Sequence, residues 1–209
     1  MQVDARGSYL ASLDHIESAF TKISGMVGKG HPLSFPDLHK LTEGLFLSAW
    51  AGWEGFMRDV LWIDLATDPK GILMSEIKQP RTKNAPLRLA ERILNHPDHP
   101  NKFVEWSDYT VVRQRANELL GPGHRFATPL PQLPDINKLK RIRNAIAHKS
   151  DKAWEDFIKL VNKPPFSLSG TGLRGLTPGR FLYAHQWSGT TVMQHATSSL
   201  RAAAWVLVP

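Results

Sequence analysis

The chain of 209 residues contains no cysteine. Disulfide frameworks, zinc sites with cysteine ligands and thiol catalysis are therefore excluded, and the absence suits a reducing compartment. The N-terminal residues form no apolar signal core, and no apolar run approaches the length of a membrane span. These features predict a cytoplasmic protein without a membrane partner.

The composition is otherwise that of an ordinary globular protein. Hydrophobic residues make up 42% of the chain and charged residues 22%, and the length suits one domain, or one domain with an appended segment. The formal net charge is +7. Such a charge favours an acidic partner, RNA before membrane. A solvated surface that is merely basic is the alternative explanation.

Apolar residues at helical spacing predict two long helices at the start of the chain. The first is expected over residues 8–27, where Gly28 and Gly30 end it. The second is expected over residues 35–66, with Ser34 as its N-cap. This second helix is apolar on most sides, which predicts a central position in the fold.

Shorter helices are expected further along. Residues 85–95 suit a short helix between prolines, and residues 108–120 predict another, with Ser107 as its N-cap. A helix is expected to begin at Asp135, and a short one to occupy residues 154–161.

The last fifty residues differ in composition. Residues 163–187 are rich in glycine, proline and serine, and residues 180–184 predict one extended strand. A final helix is expected from Ser188 or Thr190 through Leu207.

These elements predict an all-α bundle of five or six helices with almost no strand. Residues 1–162 are expected to form the helical domain. Residues 163–209 are expected to form a C-terminal extension, including the final helix, that packs on the same domain.

Residues 141–150 combine the two kinds of side chain that phosphoryl chemistry on RNA needs. They read Arg-Ile-Arg-Asn-Ala-Ile-Ala-His-Lys-Ser. Arginine holds developing negative charge on phosphorus, and histidine, which titrates near neutral pH, moves a proton. The alternative explanation is structural, because cations near a helix C-terminus also interact with the helix dipole and cap its carbonyls.

Helical geometry constrains this site. One face carries an apolar stripe, formed by Ile136, Leu139, Ile142 and Ile146. The opposite face carries Arg141, Asn144 and His148. On an ideal helix Arg143 points about 140° away from His148. Either the helix ends or distorts around His148, or two copies meet across a two-fold axis and pool their residues.

Residues 143–148, Arg-Asn-Ala-Ile-Ala-His, resemble the R-N-x-x-x-H signature of the HEPN superfamily (higher eukaryotes and prokaryotes nucleotide-binding domains). Residues 47–56, which contain Trp-Glu, are similar to the helix that precedes this motif in several prokaryotic branches. The resemblance covers roughly residues 35–150. It implies a HEPN-like helical bundle and a metal-independent ribonuclease without a cofactor, of the kind found in toxin–antitoxin and phage-defence systems.

The resemblance also implies partners and roles. A homodimer with the site at its two-fold interface is expected, together with RNA and a cognate antitoxin protein. His148 is expected to act as general base or acid and Arg143 to stabilise the transition state, with Arg141 as a second cation. Asn144 is expected to fix the imidazole or to bond a phosphate oxygen. Attack by the ribose 2′-hydroxyl on phosphorus would leave a 2′,3′-cyclic phosphate.

Glu54 lies in the middle of the apolar second helix and needs a partner if it is buried. One interpretation is a local pair with Arg58, one turn later. The other is that Glu54 supports the site by orienting a motif arginine or histidine.

Six basic residues are candidates for contacts with the RNA backbone: Lys78, Arg81, Lys83, Arg88, Lys140 and Lys149. A cluster of charges is also typical of a solvated face. Two other functions therefore stay open. One is a non-catalytic HEPN module that binds RNA or nucleotides, and the other is a helical assembly protein.

Overall fold

The computed structural model describes residues 1–67, 70, 94, 104–127, 133 and 135–209. Apart from Leu94, the helix predicted over residues 85–95 lies outside these ranges. The described residues form seven α-helices and one two-stranded hairpin, so the all-α class is confirmed. No helix in these ranges is long and apolar enough to span a membrane.

The helices are α1 (Gln2–Ser24), α2 (Phe35–Ala66), α3 (Tyr109–Leu119), α4 (Ile136–His148), α5 (Asp151–Val161), α6 (Pro178–Ala184) and α7 (Val192–Leu207). The antiparallel strands β1 (Gln186–Trp187) and β2 (Thr190–Thr191) lie between α6 and α7.

The chain forms two compact units. The first unit comprises Met1–Tyr9, Trp53–Leu133 and Ala204–Pro209, and the second comprises Leu10–Gly52 and Pro134–Ala203. The domain boundary that the sequence suggests after residue 162 stays a prediction.

The first two helices match the sequence pattern to different degrees. Helix α1 begins at Gln2 rather than at residue 8, because Val3 and Ala5, the apolar residues of this helix before Gly7, lie two positions apart and give no helical periodicity. Helix α2 has the predicted bounds. Ser34 caps it reciprocally, since the Ser34 hydroxyl accepts from the backbone N–H of Asp37 (3.3 Å) while the Asp37 carboxylate accepts from that of Ser34 (3.0 Å).

Two predicted helix caps are wrong. Asp108, not Ser107, caps α3 by accepting a 2.9 Å hydrogen bond from the backbone N–H of Thr110. Thr191, rather than Ser188 or Thr190, caps α7, where its hydroxyl accepts from the Gln194 backbone at 3.3 Å.

The strand predicted over residues 180–184 is also wrong, because these residues belong to helix α6. The Thr177 hydroxyl accepts from the backbone N–H of Arg180 at 3.1 Å, and Pro178 occupies the first helical turn. A threonine cap followed by proline is a start signal for a helix. It explains why this glycine-rich segment folds as one short helix.

Within the second unit, helix α6 passes very close to α2. A Cβ atom added at Gly179 would lie 2.2 Å from the carbonyl oxygen of His39. The backbone N–H of Gly179 donates a 3.0 Å hydrogen bond to the buried carboxylate of Glu43, which also pairs with Lys40 at 2.6 Å. Only glycine fits this approach, and the hydrogen bond satisfies a carboxyl group that would otherwise be costly to bury.

A chain of aromatic contacts runs through the second unit's core. Phe181 packs edge-on against Phe157 and Phe166, with ring centroids 5.5 and 4.8 Å apart. Phe166 in turn packs edge-on against Trp187 at 5.0 Å. These contacts join α5, α6 and the hairpin, and α4 packs along α5.

The first unit has its own core. Tyr9 stacks on Phe56 at 5.4 Å and contacts Trp53 at 6.3 Å. Tyr109 of α3 packs near Phe126, and burial raises the pKa of Tyr109 to about 12.

Candidate active site

Helix α4 presents the candidate site. Its predicted apolar stripe is buried, together with Ala145. On the rest of its surface Arg141 and His148 are exposed, whereas Arg143 and Asn144 are half-buried. The buried stripe fixes the rotation of the helix, and this rotation keeps His148 accessible to solvent.

The helix ends at the candidate histidine. His148 is the last residue of α4, and Lys149 adopts a left-handed backbone conformation with φ of 47°. The next residue, Ser150, caps α5 by accepting a 3.3 Å hydrogen bond from the backbone N–H of Ala153. The first of the two predicted arrangements, a helix that ends around His148, is therefore the observed one.

Arg143 reaches His148 within the same chain. The Nη1 atom of Arg143 lies 2.9 Å from the Nε2 atom of His148. The expectation that the two side chains diverge is wrong, because it considered only the direction of the Cα–Cβ bond. The long arginine side chain spans the separation to the histidine at the helix end.

The contact assigns the hydrogen-bonding roles of the two side chains. A guanidinium group only donates hydrogen bonds. In this contact the Nε2 atom of His148 therefore accepts, as it does in the tautomer with the proton on Nδ1. The pair thus places a permanent cation beside a basic nitrogen, at the exposed end of a helix.

Asn144 contacts the guanidinium. Its Oδ1 atom accepts a 3.1 Å hydrogen bond from the Nη1 atom of Arg143. The sequence predicts that Asn144 contacts the imidazole of His148 or a phosphate oxygen. Among the described contacts, its side chain instead binds the guanidinium of Arg143. Asn144 thereby holds Arg143 beside His148.

The other predicted residues lie at different positions. Lys149 is exposed immediately after His148, and Lys140 is half-buried on α4. Glu54 is half-buried and belongs to the first unit, and its supporting role stays a prediction. Arg58, its suggested local partner, pairs with Asp59 at 3.2 Å. Four candidates lie outside the described residues: Lys78, Arg81, Lys83 and Arg88.

A polar cluster that sequence reasoning missed anchors the start of α4. Asp135, the N-cap residue, has a left-handed φ of 55°, and its carboxylate binds His195 at 2.9 Å and also Lys138. The ring of His195 stacks on Trp187 at 4.1 Å. Burial raises the pKa of Asp135, but hydrogen bonds from Lys138 and His195 outweigh it and leave the pKa below its usual range. Because 60 residues separate Asp135 from His195, local spacing contains no signal of this contact.

Within the described ranges, no group of three or more histidine or carboxylate side chains is arranged to hold a metal ion. No protein family model, curated protein or solved structure matches the chain. Any function assigned to the site therefore rests on the chemistry of its residues and on the motif.

Proposed function

We propose that this protein is a metal-independent endoribonuclease of the HEPN type, acting as a toxin or phage-defence effector. The observation that carries the proposal is the 2.9 Å contact between Arg143 and His148. It supports the proposal because a cation and a proton acceptor stand one hydrogen bond apart. That spacing suits two neighbouring groups of one nucleotide, the phosphate and the 2′-hydroxyl.

The proposed reaction begins when a phosphate group draws the Arg143 guanidinium away from the imidazole. The freed Nε2 atom of His148 then accepts the proton of the ribose 2′-hydroxyl. The 2′-oxygen attacks phosphorus, the bond to the 5′-oxygen breaks, and that oxygen takes up a proton from solvent as it leaves. His148 afterwards returns its own proton to solvent. Arg143 stabilises the negative charge that develops on the phosphate oxygens. The products carry a 2′,3′-cyclic phosphate and a 5′-hydroxyl.

Neighbouring groups have supporting roles in this proposal. Asn144 orients the guanidinium through its 3.1 Å hydrogen bond. Arg141 and Lys149, both exposed, bind flanking phosphates, in keeping with the net charge of +7. A homodimer brings two such pairs into one cleft, and a cognate antitoxin restrains the activity by covering it.

Replacement of His148 by alanine tests the proposal when cleavage and RNA binding are measured separately. The expected variant binds RNA like the wild type but cleaves it at least about 100-fold more slowly, because the proton acceptor is gone. His15→Ala is the matched control, since His15 is also an exposed helical histidine. If His148→Ala cleaves RNA as fast as His15→Ala does, the proposal is wrong. Binding by the wild type without cleavage would instead favour the non-catalytic module.

A further inference from the structure

The first unit contains a polar cavity on the side of α3 where the helix ends. Its volume is about 420 Å³, and its walls are Asp64, Thr67 and the segment 120–125. Cavities of roughly 300–1,000 Å³ accommodate small ligands. The segment after α3 contributes polar side chains as well as backbone, which makes the cavity more suitable for a charged ligand than for an apolar one.

The carboxylate in the wall is already neutralised. The Oδ1 atom of Asp64 accepts hydrogen bonds from Nε2 of Gln2 at 2.9 Å and from Nε of Arg125 at 3.2 Å. The Asp64 side chain is only 14% exposed. Since two donors already hold this carboxylate, it contributes little repulsion toward an anion.

Arg125 supplies the group that suits an anion best. Its contact with Asp64 is made through Nε, and within the described ranges its two Nη groups make no hydrogen bond that would compete with a ligand. The side chain remains 34% exposed. The two Nη groups of a guanidinium match two oxygens of one phosphate group.

Positively charged side chains of the described ranges act on His124 in the cavity wall. Burial lowers the pKa of His124, while Asp64 opposes this shift and the charges of Arg113 and Lys70 add to it. Lys70 also donates to the carbonyl oxygens of Asn117 and Glu118, at 3.2 and 2.8 Å. It thereby offsets the negative end of the α3 dipole.

The carboxylate of Glu118 is itself paired, with Arg115 at 3.4 Å. Among the described residues near the cavity, Arg125 pairs with Asp64, and Lys70 binds the carbonyl oxygens at the end of α3. Arg113 adds a further positive charge that acts on His124. The net charge of these described residues is positive, and an anionic ligand would partly neutralise it.

His124 is held neutral beside this excess of charge. Its Nε2 atom lies 2.7 Å from the side-chain oxygen of Asn117, which accepts the Nε2 proton. Its Nδ1 atom is buried and has no hydrogen-bond partner in the described part of the chain. A second proton at Nδ1 would be costly in the free protein. An anion in the cavity would lower that cost.

We propose that this cavity binds the phosphate group of a small phosphorylated ligand, with Arg125 as its principal contact. The site does not depend on the proposed ribonuclease activity, which uses residues of the second unit. A phosphate monoester combines the charge and the two coplanar oxygens that the guanidinium requires.

Isothermal titration of the full chain with inorganic phosphate and with AMP tests the proposal. Saturable binding is expected, and Arg125→Gln should weaken it about tenfold or more. Arg58→Gln is the matched control, because Arg58 is also an arginine of the first unit paired with an aspartate, and its binding should match the wild type. AMP binding tighter than phosphate would identify a nucleotide as the ligand, whereas equal binding would mean that the site recognises phosphate alone.

A second measurement uses only the wild type and therefore tests the proposal even if Arg125→Gln does not fold. The pKa of His124, followed by NMR of the wild type, should rise when phosphate is added, because the anion favours the charged imidazole. The proposal is overturned if the wild type binds neither probe saturably, or if the Arg125 and Arg58 variants weaken binding equally. Binding of both probes that is weakened by Arg143→Ala and not by Arg125→Gln would place the phosphate at the proposed ribonuclease site and overturn this proposal, so the outcome is separate from that of the ribonuclease test.

Discussion

Arg143 and His148 are five residues apart on one helix, yet Nη1 of the arginine lies 2.9 Å from Nε2 of the histidine. The contact is made at the last residue of α4, where the chain turns into α5. A permanent cation and an imidazole nitrogen are therefore brought together within one copy of the chain.

Arg143 rather than Arg141 should stabilise the transition state. Arg143→Ala is expected to lower kcat for RNA cleavage by about 100-fold or more, because a positioned donor to the developing charge is lost. Arg141→Ala is expected to lower kcat less than about tenfold, since the exposed Arg141 contributes mainly general attraction to RNA. A larger loss of kcat in Arg141→Ala than in Arg143→Ala would reverse the assignment.

Mixing two inactive variants tests whether the pair works within one chain. Arg143→Ala and His148→Ala, allowed to exchange subunits, should remain inactive, because neither copy then contains both side chains. If the pair instead formed between copies, half of the dimers would regain one site, and about a quarter of the wild-type activity would return. Co-purification of an untagged variant with an affinity-tagged one serves as the control for subunit exchange.

Gly179→Ala should destabilise the protein strongly. The added Cβ would lie 2.2 Å from the carbonyl oxygen of His39, so α6 would have to move and strain the hydrogen bond to Glu43. The expected loss of unfolding free energy is about 2 kcal/mol or more. Urea unfolding measures this loss.

Gly44→Ala provides the control for Gly179→Ala. Gly44 also lies on a helix, but nothing is within 4 Å of its added Cβ. This change should stabilise the protein by about 0.5–1 kcal/mol. Equal effects at the two positions would contradict the close approach of α6 to α2.

Stability should fall as pH decreases from about 7 toward 5. Burial lowers the pKa values of His39, His124 and His185 below the usual 6.5, and Arg180 lowers those of His39 and His185 further. The unfolded chain then binds more protons than the folded chain in this range, so the free energy of unfolding rises with pH. Urea unfolding at pH 5.5, 6.5 and 7.5 measures the trend. Constant stability over this range would contradict the assigned shifts, and replacing all three histidines by asparagine should flatten the slope.

The elements that the sequence predicts correctly are those with local signals, such as periodic apolar residues and helix caps. The bounds of α2 and the apolar stripe of α4 follow from periodic side chains and one serine cap, and both are confirmed. Helix α6 was missed because Gly179 and its neighbours suggested an irregular segment. This helix buries one face and donates a hydrogen bond to Glu43, which is distant in the sequence. Local sequence signals do not reveal contacts of this kind.

The candidate site was predicted in its composition but not in its geometry. The motif identified Arg143, Asn144 and His148, yet helical angles alone placed the arginine away from the histidine. The reach of the arginine side chain and the end of the helix at His148 bring them together. The contact of Asp135 with His195 had no sequence signal, because it joins residues 60 positions apart.

The most direct test of the central claim is incubation of the purified protein with cellular RNA in excess EDTA, beside the His148→Ala variant. A metal-independent ribonuclease that works through His148 should cut RNA under these conditions and leave 2′,3′-cyclic phosphate ends, while the variant leaves the RNA intact. Equal cleavage by both proteins, or cleavage by the wild type only when divalent metal is restored, would contradict it.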